Sequence, residues 1–370
     1  MLLLIINAGS SSIKLALYEC TTKKICSKIE KHYDLKNQSI ELILPRFFEL
    51  IKCEEISAIA HRVVHGGPNF SQPCIIDNDV IRAINEATIL APLHNPNTLQ
   101  AITYCKICFN NDIRQVAVFD TGFFSNLPDV SSHYPIPREL ALEFNIQRYG
   151  FHGLAHQGMW QRWNELNNKD NKQRVISLQL GSGCSVSAIL NGQVIDTSMG
   201  FSPMEGLMMS TRSGDLDPGI VFYLQKVGKF DHLAMERILN KKSGLLGVSG
   251  VSDDMRVLLN SNQAEAKLAI AMFCYRIRKY IGAYAAALGG LDTILFGGGI
   301  GENSPEIRHC VLENFQWLGI ELDLAINTSI KAKCTKISKD ISSIEAWVIP
   351  NKESTTIAAQ AFQLLSGPSK

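Results

Sequence analysis

Residues Leu2–Tyr18, LLLIINAGSSSIKLALY, predict a β-hairpin in which two apolar strands flank a turn of small residues. Residues Val175–Leu190, VISLQLGSGCSVSAIL, repeat this pattern in the second half of the chain. One such hairpin near the start of each half indicates a duplication, although two short Gly/Ser hairpins can also resemble each other by chance. The repeat therefore favours two domains of similar fold.

The length and composition are typical of a large folded protein. The 370 residues correspond to two large domains at roughly 150 residues each. Lysine plus arginine total 36 and aspartate plus glutamate total 35, a balance without a general electrostatic signature for nucleic acid or anionic lipid. The ten scattered cysteines are typical of reduced, buried thiols. We find no signal-peptide pattern and no run of about 20 apolar residues, so we expect a cytoplasmic protein without a membrane or nucleic-acid partner.

Further apolar strands alternate with helical patterns along the chain. The additional predicted strands are 56–65, 115–119, 293–296 and 347–349. A long helix is predicted over 264–288, with Gly289 and Gly290 after it as a C-terminal cap. Ser304 followed by Pro305 predicts the start of another helix. Strands interleaved with helices predict an α/β protein with mixed or parallel sheets covered by helices.

Turns rich in glycine and serine follow three predicted strands, at 7–12, 181–185 and 297–304. Backbone N–H groups in such turns approach phosphate oxygens closely, because no Cβ intervenes. Their presence in both halves predicts a nucleotide phosphate tail held between two domains. Neither a P-loop sequence nor a strict Gly-x-Gly-x-x-Gly that opens a helix is present, so a P-loop NTPase and an ordinary dehydrogenase are disfavoured.

Several charged side chains lie beside these turns or at predicted strand ends. Arg62 and Val64 share one strand face, where a guanidinium beside a small apolar wall suits a short-chain carboxylate. A structural ion pair is the alternative for Arg62. Asp120 and Glu353 each follow a strand, which is typical of a Mg²⁺ site completed by phosphate oxygens, although either can instead cap a turn. The side chain of Lys14 is predicted to point either towards the first of the Gly/Ser-rich turns, at 7–12, or into solvent.

Two further polar positions are candidates. His152 and His156 have the spacing of a helical zinc motif, but Gly153 replaces the glutamate base, which disfavours a zinc protease. His152, beside glycine-rich backbone, can instead place a proton donor on a developing negative charge. Arg212 lies in a second polar cluster, Thr211–Pro218.

Short motifs lie in nearly all parts of the chain. They are NAGSSSIK at 7–14, HRVVHGG at 61–67, APLHNP at 91–96, FDT at 119–121, YGFHG at 149–153, TSMGF at 197–201, TRSG at 211–214, SDDMR at 252–256, GGIGENS at 298–304, and VIP at 348–350 through Glu353. In sequence and in order these motifs resemble those of the acetate and propionate kinase family, and together they are highly specific.

The resemblance implies the fold shared by actin, sugar kinases and Hsp70 ATPases: two duplicated ribonuclease H-like α/β domains around a nucleotide cleft. The N-terminal domain would comprise 1–124, completed by a C-terminal helix at 355–370. The second domain, 125–354, would carry the nucleotide site and the dimer interface. The implied activity is reversible transfer of a phosphoryl group from ATP to acetate, giving acetyl phosphate and ADP. The implied enzyme is a cytoplasmic homodimer that uses Mg²⁺, with Mn²⁺ as an alternative metal.

The resemblance also implies roles for individual residues. The implied catalytic residues are Asp120, His152, Arg212 and Arg62. The implied metal ligands are Asn7 and Glu353. The implied acetate-binding residues are Arg62, Val64, Leu93, His94, Phe151 and Pro203. The implied ATP-contact residues are Ser10, Ser12, Lys14, Gln179, Leu180, Gly181, Ser182, Gly183, Asp254, Met255, Arg256, Gly299, Ile300, Gly301, Glu302 and Asn303.

The chain departs from the family pattern at the second turn. Gln179 stands where a histidine is usual and Ser182 where an asparagine is usual, which bears on rate or nucleotide preference. Val64 narrows the acceptor pocket more than alanine would, which favours acetate, with a propionate kinase as the alternative. A catalytically impaired nucleotide-binding homologue is a further alternative. A sugar kinase or an actin-like filament protein would share the fold.

Overall fold

Both predicted hairpins form in the computed structural model. The structure describes residues 1–9, 12–35, 38–51, 55–110, 112–167, 173–330 and 333–367. In the first hairpin Leu2 pairs with Glu19 and Ala8 with Ile13, in antiparallel register. The second hairpin, over Arg174–Leu190, pairs in the same antiparallel way.

The secondary structure alternates between strands and helices. The strands are β1 (Leu2–Ala8), β2 (Ser12–Cys20), β3 (Ile25–Asp34), β4 (Ala58–Val63), β5 (Cys74–Ile75), β6 (Arg114–Phe119), β7 (Arg174–Leu180), β8 (Cys184–Leu190), β9 (Gln193–Thr197), β10 (Thr293–Gly297), β11 (Thr335–Lys336) and β12 (Glu345–Val348). The helices are α1 (Ile40–Leu50), α2 (Asn78–Glu86), α3 (Asn95–Cys108), α4 (Asp129–Ser132), α5 (Arg138–Glu143), α6 (Gly153–Asn167), α7 (Pro218–Lys226), α8 (His232–Lys241), α9 (Gly244–Ser249), α10 (Met255–Leu259), α11 (Ala264–Ala287), α12 (Gly298–Asn303), α13 (Pro305–Leu312), α14 (Leu324–Thr328) and α15 (Glu353–Ser366). Short 3₁₀ helices lie at Ala87–Ile89, Gly122–Phe124 and Gln316–Leu318.

The chain divides into two units. The first unit comprises Met1–Ser125, Phe151–Gly158 and Lys352–Lys370, and the second comprises Asn126–Gly150 and Met159–Asn351. These units differ from the predicted domains mainly in that Phe151–Gly158 belongs to the first. The reason is local, since Leu154 packs into the core of the first sheet. The predicted boundaries at 124/125 and 354/355 remain a prediction about the folding domains.

Each unit contains one mixed sheet, and the two sheets have the same strand order. In the first unit the order is β3-β2-β1-β4-β6-β5, and in the second it is β9-β8-β7-β10-β12-β11. The three central strands of each sheet are parallel, and the outer strands pair antiparallel. This repetition across whole sheets confirms the predicted α/β fold with two similar domains. It is a much stronger sign of duplication than the two hairpins alone.

Strand β1 is buried on both faces, which explains its continuous apolar sequence. Leu4 packs on one face in a cluster with Phe47 of α1. Leu3 packs on the other face in a cluster with Ile357 of α15. The first sheet is therefore covered by helices on both sides, and its central strands carry residues to a polar edge.

The long predicted helix is present as α11 and forms the core of the second unit. Phe273, Ile277 and Ile281 are buried along it, and the helix packs against α9, α13 and β8. Gly289 follows in the left-handed conformation (φ +66°). Gly290 N donates to Ala285 O at 2.8 Å, which completes the predicted glycine cap.

The predicted glycine-rich turn at 297–304 is wrong in its conformation, because Gly298–Asn303 forms the helix α12. Gly298 has a φ of +76°, and a Cβ there would lie 2.5 Å from Leu180 O. The missing side chain lets the chain turn directly into a helix that packs on β7. The next helix, α13, begins at Pro305 as predicted, with Ser304 at the N-cap position.

Two further observations bear on the environment of the chain. None of the helices in the described ranges has the length and hydropathy of a membrane-spanning segment. Cys20, Cys105, Cys184 and Cys274 are buried thiols and not disulfides, and burial raises the pKa of Cys20 to about 11. The buried cysteines therefore belong to the packed core.

Candidate active site

The first unit gathers polar side chains at one edge of its sheet. Asn7 lies near the end of β1, Arg62 near the end of β4, and Asp120 directly after β6. Because these three strands run parallel, their carboxyl ends meet at the same edge. Glu353, the first residue of α15, joins this group.

Arg62 and Asp120 form a buried bidentate ion pair. Arg62 Nη2 lies 2.5 Å from Asp120 Oδ2, and Nε lies 3.1 and 3.2 Å from the two carboxylate oxygens. The side chains are 11% and 2% exposed. Burial raises the pKa of Asp120, and the charge of Arg62 acts in the opposite direction. The ion pair that the sequence left as an alternative for Arg62 therefore exists.

Arg62 nevertheless retains donors for a ligand. Its Nη1 donates to Asn7 Oδ1 at 3.1 Å, so Nε–H, one Nη1–H and one Nη2–H are engaged. An arginine carries five N–H groups. Among the described residues, one N–H on each terminal nitrogen thus remains available, and Asp120 and Asn7 fix the plane in which those donors point.

Glu353 extends this chain of contacts. Asn7 Nδ2 donates to Glu353 Oε2 at 2.8 Å. Burial raises the pKa of Glu353, but the charges of Arg62 and Lys14 and the hydrogen bond from Asn7 lower it overall to about 2. Lys14 pairs with Asn7 across β1 and β2, which places both side chains on one face. Glu353 is therefore an ionised carboxylate beside two cations at neutral pH.

His152 lies beside the same group, in a backbone conformation that is rare for a residue with a side chain. Its φ is +60°. The next residue, Gly153, donates its N–H to Asp120 O at 3.0 Å, and a Cβ on Gly153 would overlap that oxygen. The charge of His152 also contributes to the lowered pKa of Glu353. The contact between Gly153 and Asp120 thus holds a strained histidine at the site.

Some of the residues predicted to bind acetate lie close together within the first unit. Val64 and Phe151 are buried. Asn95 Nδ2 donates to His65 O at 2.9 Å, which joins residues 93–94 to the end of β4. The rings of His65 and Phe151 lie 5.7 Å apart. Apolar side chains and the predicted His94 therefore belong to one neighbourhood, whereas the predicted Pro203 belongs to the second unit.

The structure describes only part of the first Gly/Ser-rich turn, at 7–12. Ser10 lies outside the described residues. Gly9 N donates to Ser12 O at 2.8 Å, and Asn97 Nδ2 donates to Gly9 O at 2.7 Å. Helix α3 thus fixes the start of this turn.

The second unit brings three of the predicted ATP-contact segments together. Gly181 N donates to Gly183 O at 3.1 Å, which closes the hairpin turn. Ser210 N donates to Ser182 O at 3.1 Å, and Ser210 Oγ donates to Asp253 O at 2.9 Å. Ser210 therefore connects the hairpin turn to the segment that precedes α10, a role that the sequence did not reveal.

Helix α12 lies beside Gln179. A Cβ on Gly298 would lie 2.9 Å from Gln179 Nε2. Glu302 Oε1 accepts hydrogen bonds from Gly298 N at 3.0 Å and from Asn351 N at 2.8 Å. Because the Glu302 carboxylate bonds to this backbone, it contributes to the shape of the segment.

The other predicted ATP-contact residues differ in the solvent exposure of their side chains. Leu180 and Met255 are buried, so their side chains belong to the core. Arg256 pairs with Asp254 at 2.6 Å while its side chain remains 85% exposed. Hydrogen bonds from the side chain and backbone of Arg256 lower the pKa of Asp254. Asp254 accepts from Arg256 N and so caps α10.

Arg212 differs from Arg62 in its partners. Within the described ranges its guanidinium makes one hydrogen bond, from Nη1 to Pro203 O at 2.5 Å, and no ion pair. Burial lowers the pKa of Arg212, because among the described residues no carboxylate pairs with it to offset the loss of water. Met209 N donates to Arg212 O at 3.1 Å, which makes a tight turn at this point. The arrangement leaves a cation whose donors can bind an anion.

The chain is similar to one protein family and to solved structures along nearly its whole length. The model of the acetokinase family matches residues 33–359. An acetate kinase from Brachyspira hyodysenteriae is 42% identical over 396 residues, covering 98% of this chain and 100% of the relative. The crystal structure of Porphyromonas gingivalis acetate kinase matches with a TM-score of 0.87 and 36% identity, covering 98% of this chain and 99% of the other. A propionate kinase from Francisella tularensis matches with a TM-score of 0.88 and 35% identity, covering 97% and 98%.

Proposed function

The chain belongs to the acetokinase family, and we propose that the residues described above carry out that family's reaction. The activity is that of an ATP-dependent acetate kinase, which transfers the γ-phosphoryl group of ATP to acetate and gives acetyl phosphate and ADP. ATP and ADP are its nucleotide substrates, and a divalent metal assists the transfer. The observation that most supports the residue assignments is the partly buried Arg212, whose guanidinium lacks a carboxylate partner among the described residues.

The acceptor needs no general base, because acetate is already ionised at neutral pH. Asp120 binds Arg62 through both carboxylate oxygens, which supports a positioning role for it. The two remaining N–H groups of Arg62 would bind the acetate carboxylate. The methyl group would then pack against Val64 and Phe151.

The transferred phosphoryl group needs hydrogen-bond donors whose contacts with its oxygens become stronger in the transition state. Arg212 would supply such donors from a partly buried position. His152 would add a further donor beside Asp120. The Gly181–Gly183 turn, the 254–256 segment, residues 299–303, Ser12 and Lys14 would bind ATP. Catalysis then depends on alignment of the two oxygens with the phosphorus and on charge stabilisation.

We propose Mg²⁺, or Mn²⁺ in its place, as the metal. Within the described parts of the chain no three His, Cys, Asp or Glu side chains form a metal-binding group. One ionised carboxylate, Glu353, beside the Asn7 amide fits Mg²⁺, which usually takes one or two carboxylates and completes its shell with water and phosphate oxygens. When bound, the metal would neutralise phosphate charge and orient the nucleotide.

The metal proposal predicts a specific defect for Glu353→Gln. This change removes the negative charge but keeps the shape, so the Mg²⁺ concentration for half-maximal activity should rise by about 10–100-fold. Binding of Mn²⁺ in the presence of ATP, followed by electron paramagnetic resonance, should weaken in parallel. Glu321→Gln, which removes a surface carboxylate paired with Lys339, serves as the control. An unchanged Mn²⁺ affinity in Glu353→Gln would exclude Glu353 as a ligand.

The acceptor is tested by trapping the product with hydroxylamine. Purified protein, ATP, Mg²⁺ and acetate should give acetyl hydroxamate, and removal of the metal should abolish it. Propionate should react with a lower kcat/KM, by about 10-fold or more, because one methylene is worth about 1–3 kcal/mol in such a pocket. A higher kcat/KM with propionate would contradict the acetate assignment.

We also propose a cytoplasmic homodimer that associates through the second unit. Helix α7 has no buried residue in the chain on its own, and Phe222 and Tyr223 are 68% and 62% exposed. Val227 and Leu233 extend this apolar surface towards α8. Exposed apolar patches of this kind mark interfaces, and a second copy would cover it. Cytoplasmic location agrees with the buried thiols.

The dimer proposal predicts that Phe222→Glu gives a monomer. A charge on the apolar surface of α7 should oppose association, and light scattering after size exclusion should give half the mass of the unchanged protein. Ile89→Glu places the same charge on an exposed apolar position of the first unit and should leave the mass unchanged. A Phe222→Glu variant with the wild-type mass would contradict an interface at α7.

A further inference from the structure

The segment between Pro203 and Arg212 contains Glu205, whose carboxylate is the centre of a network of polar contacts. Arg148 Nη2 donates to Glu205 Oε1 at 2.7 Å, and the Tyr134 hydroxyl donates to Glu205 Oε2. The other nitrogens of Arg148 donate to Thr197 O at 3.1 Å and to Ser131 O at 3.0 Å. All three guanidinium nitrogens are thus engaged, and Arg148 connects three stretches of chain.

The same network fixes the backbone immediately before Pro203. The Tyr134 hydroxyl accepts a hydrogen bond from Phe201 N at 2.8 Å. Tyr149 N donates to Gly200 O at 3.1 Å. A Cβ on Gly200 would overlap both the Glu205 carboxylate and the Tyr134 hydroxyl. The chain at 200–201 therefore lies in direct contact with this pair.

On the C-terminal side of Glu205, hydrogen bonds join Gly206 to Asp215. Gly206 N donates to Asp215 Oδ1 at 2.8 Å, and Asp215 N donates to Gly206 O at 2.9 Å. Tyr280 of α11 donates its hydroxyl hydrogen to Asp215 Oδ2 at 2.7 Å. Glu205 therefore lies between the Gly206–Asp215 contact and Pro203, whose carbonyl accepts the hydrogen bond from Arg212.

We propose that Glu205 is a positioning residue for Arg212: by binding Arg148 and Tyr134, its carboxylate fixes the Pro203 carbonyl to which the Arg212 guanidinium is anchored. This inference rests on the proposed role of Arg212 in phosphoryl transfer. A carboxylate paired directly with Arg212 would compete with the phosphoryl group for its donors. A carboxylate two residues from the anchoring carbonyl orients the guanidinium and leaves its charge available.

The geometry of the network indicates that it orients the Arg212 guanidinium more than it stabilises the fold. The Arg148 and Glu205 side chains are 17% and 31% exposed, and ion pairs with access to water contribute little to stability. By contrast, a displacement of about 1 Å at a group that contacts the reacting atoms can cost about 100-fold in rate. The main effect of losing Glu205 should therefore be kinetic.

The test compares Glu205→Ala and Glu205→Gln with Asp292→Ala. Asp292 forms a partly exposed ion pair with Arg174 in the same unit, which makes it a matched control. For folded Glu205→Ala we expect kcat to fall by about 10–100-fold. The KM for ATP should change by less than about twofold, because the contact is made in the transition state. Glu205→Gln should recover most of the loss, because its amide oxygen can still accept from Arg148. Asp292→Ala should keep its kcat.

Combination with Arg212→Ala separates this inference from the proposed function. If Glu205 acts through Arg212, Glu205→Ala should cause no further loss in the Arg212→Ala background. Two results would overturn the positioning role of Glu205 alone. One is a double variant whose loss of kcat equals the product of the two single losses. The other is an unchanged kcat in Glu205→Ala while Arg212→Ala is inactive. An active Arg212→Ala would instead overturn the proposed role of Arg212. If Glu205→Ala does not fold, Tyr134→Phe takes its place in the same comparison and should show a kcat loss with an unchanged KM for ATP.

Discussion

Replacement of Arg212 by alanine should lower kcat by about 10³–10⁵-fold while the protein remains folded. Arginine contacts to a transferring phosphoryl group have effects of this size. The fold should survive, because within the described residues the guanidinium makes a single hydrogen bond, to Pro203 O, and no ion pair. Loss of a partly buried cation that has no carboxylate partner among the described residues also removes an unfavourable desolvation. Thermal unfolding and steady-state kinetics on the same preparation check both parts.

Two variants control this measurement. Arg212→Lys keeps the charge but loses the planar fork of donors, so its kcat should lie between those of the wild type and Arg212→Ala. Arg237→Ala removes an exposed arginine from α8 in the same unit and should leave kcat unchanged. A kcat near the wild-type value in Arg212→Ala would remove this residue from the mechanism.

Replacement of Asp120 by alanine should damage both stability and activity. The change leaves the largely buried Arg62 guanidinium without its bidentate partner. Breaking a buried ion pair costs up to about 3–5 kcal/mol of unfolding free energy, of which the negative charge of Glu353 beside Arg62 offsets a part. Arg62 would also lose the contact that sets the direction of its remaining donors, so the KM for acetate should rise and kcat should fall. Urea unfolding and acetate-dependent kinetics measure the two effects.

Asp120→Asn and Asp292→Ala are the corresponding controls. Asparagine keeps one oxygen for Arg62, so Asp120→Asn should retain more stability than Asp120→Ala. Asp292→Ala breaks an ion pair with about one third of each side chain exposed and removes the acceptor of a hydrogen bond from Arg174 N, which together should cost about 1–2 kcal/mol. A loss in Asp120→Ala as small as that in Asp292→Ala would contradict a buried, position-setting ion pair.

Those parts of the fold whose signals are local could be predicted from the sequence. The hairpins at Leu2–Tyr18 and Val175–Leu190 and the helix α11 follow from apolar periodicity and turn residues within one stretch of chain. Helix α12 could not be predicted in this way, because a glycine-rich run has low helix propensity. It forms because Gly298 fits against Leu180 and because Glu302 bonds to the backbone of Gly298.

The same distinction applies to the site. Sequence motifs identified Arg62, Asp120 and Glu353 as candidates. No local sequence pattern indicates that Arg62 pairs with Asp120, because the two residues are 58 positions apart. Glu205 had no signal at all, since its partners Arg148 and Tyr134 are 57 and 71 residues away. Such contacts exist only after the strands and loops have packed.

Binding of a transition-state analogue tests the central claim most directly, namely that Arg212 stabilises the moving phosphoryl group. ADP alone and ADP with aluminium fluoride and acetate can be titrated by calorimetry in the presence of Mg²⁺, into wild type and Arg212→Ala. An enzyme that stabilises the transition state should bind the analogue mixture at least about 100-fold more tightly than ADP alone. We expect Arg212→Ala to bind ADP normally and to lose this gain. An undiminished gain in Arg212→Ala would contradict the account.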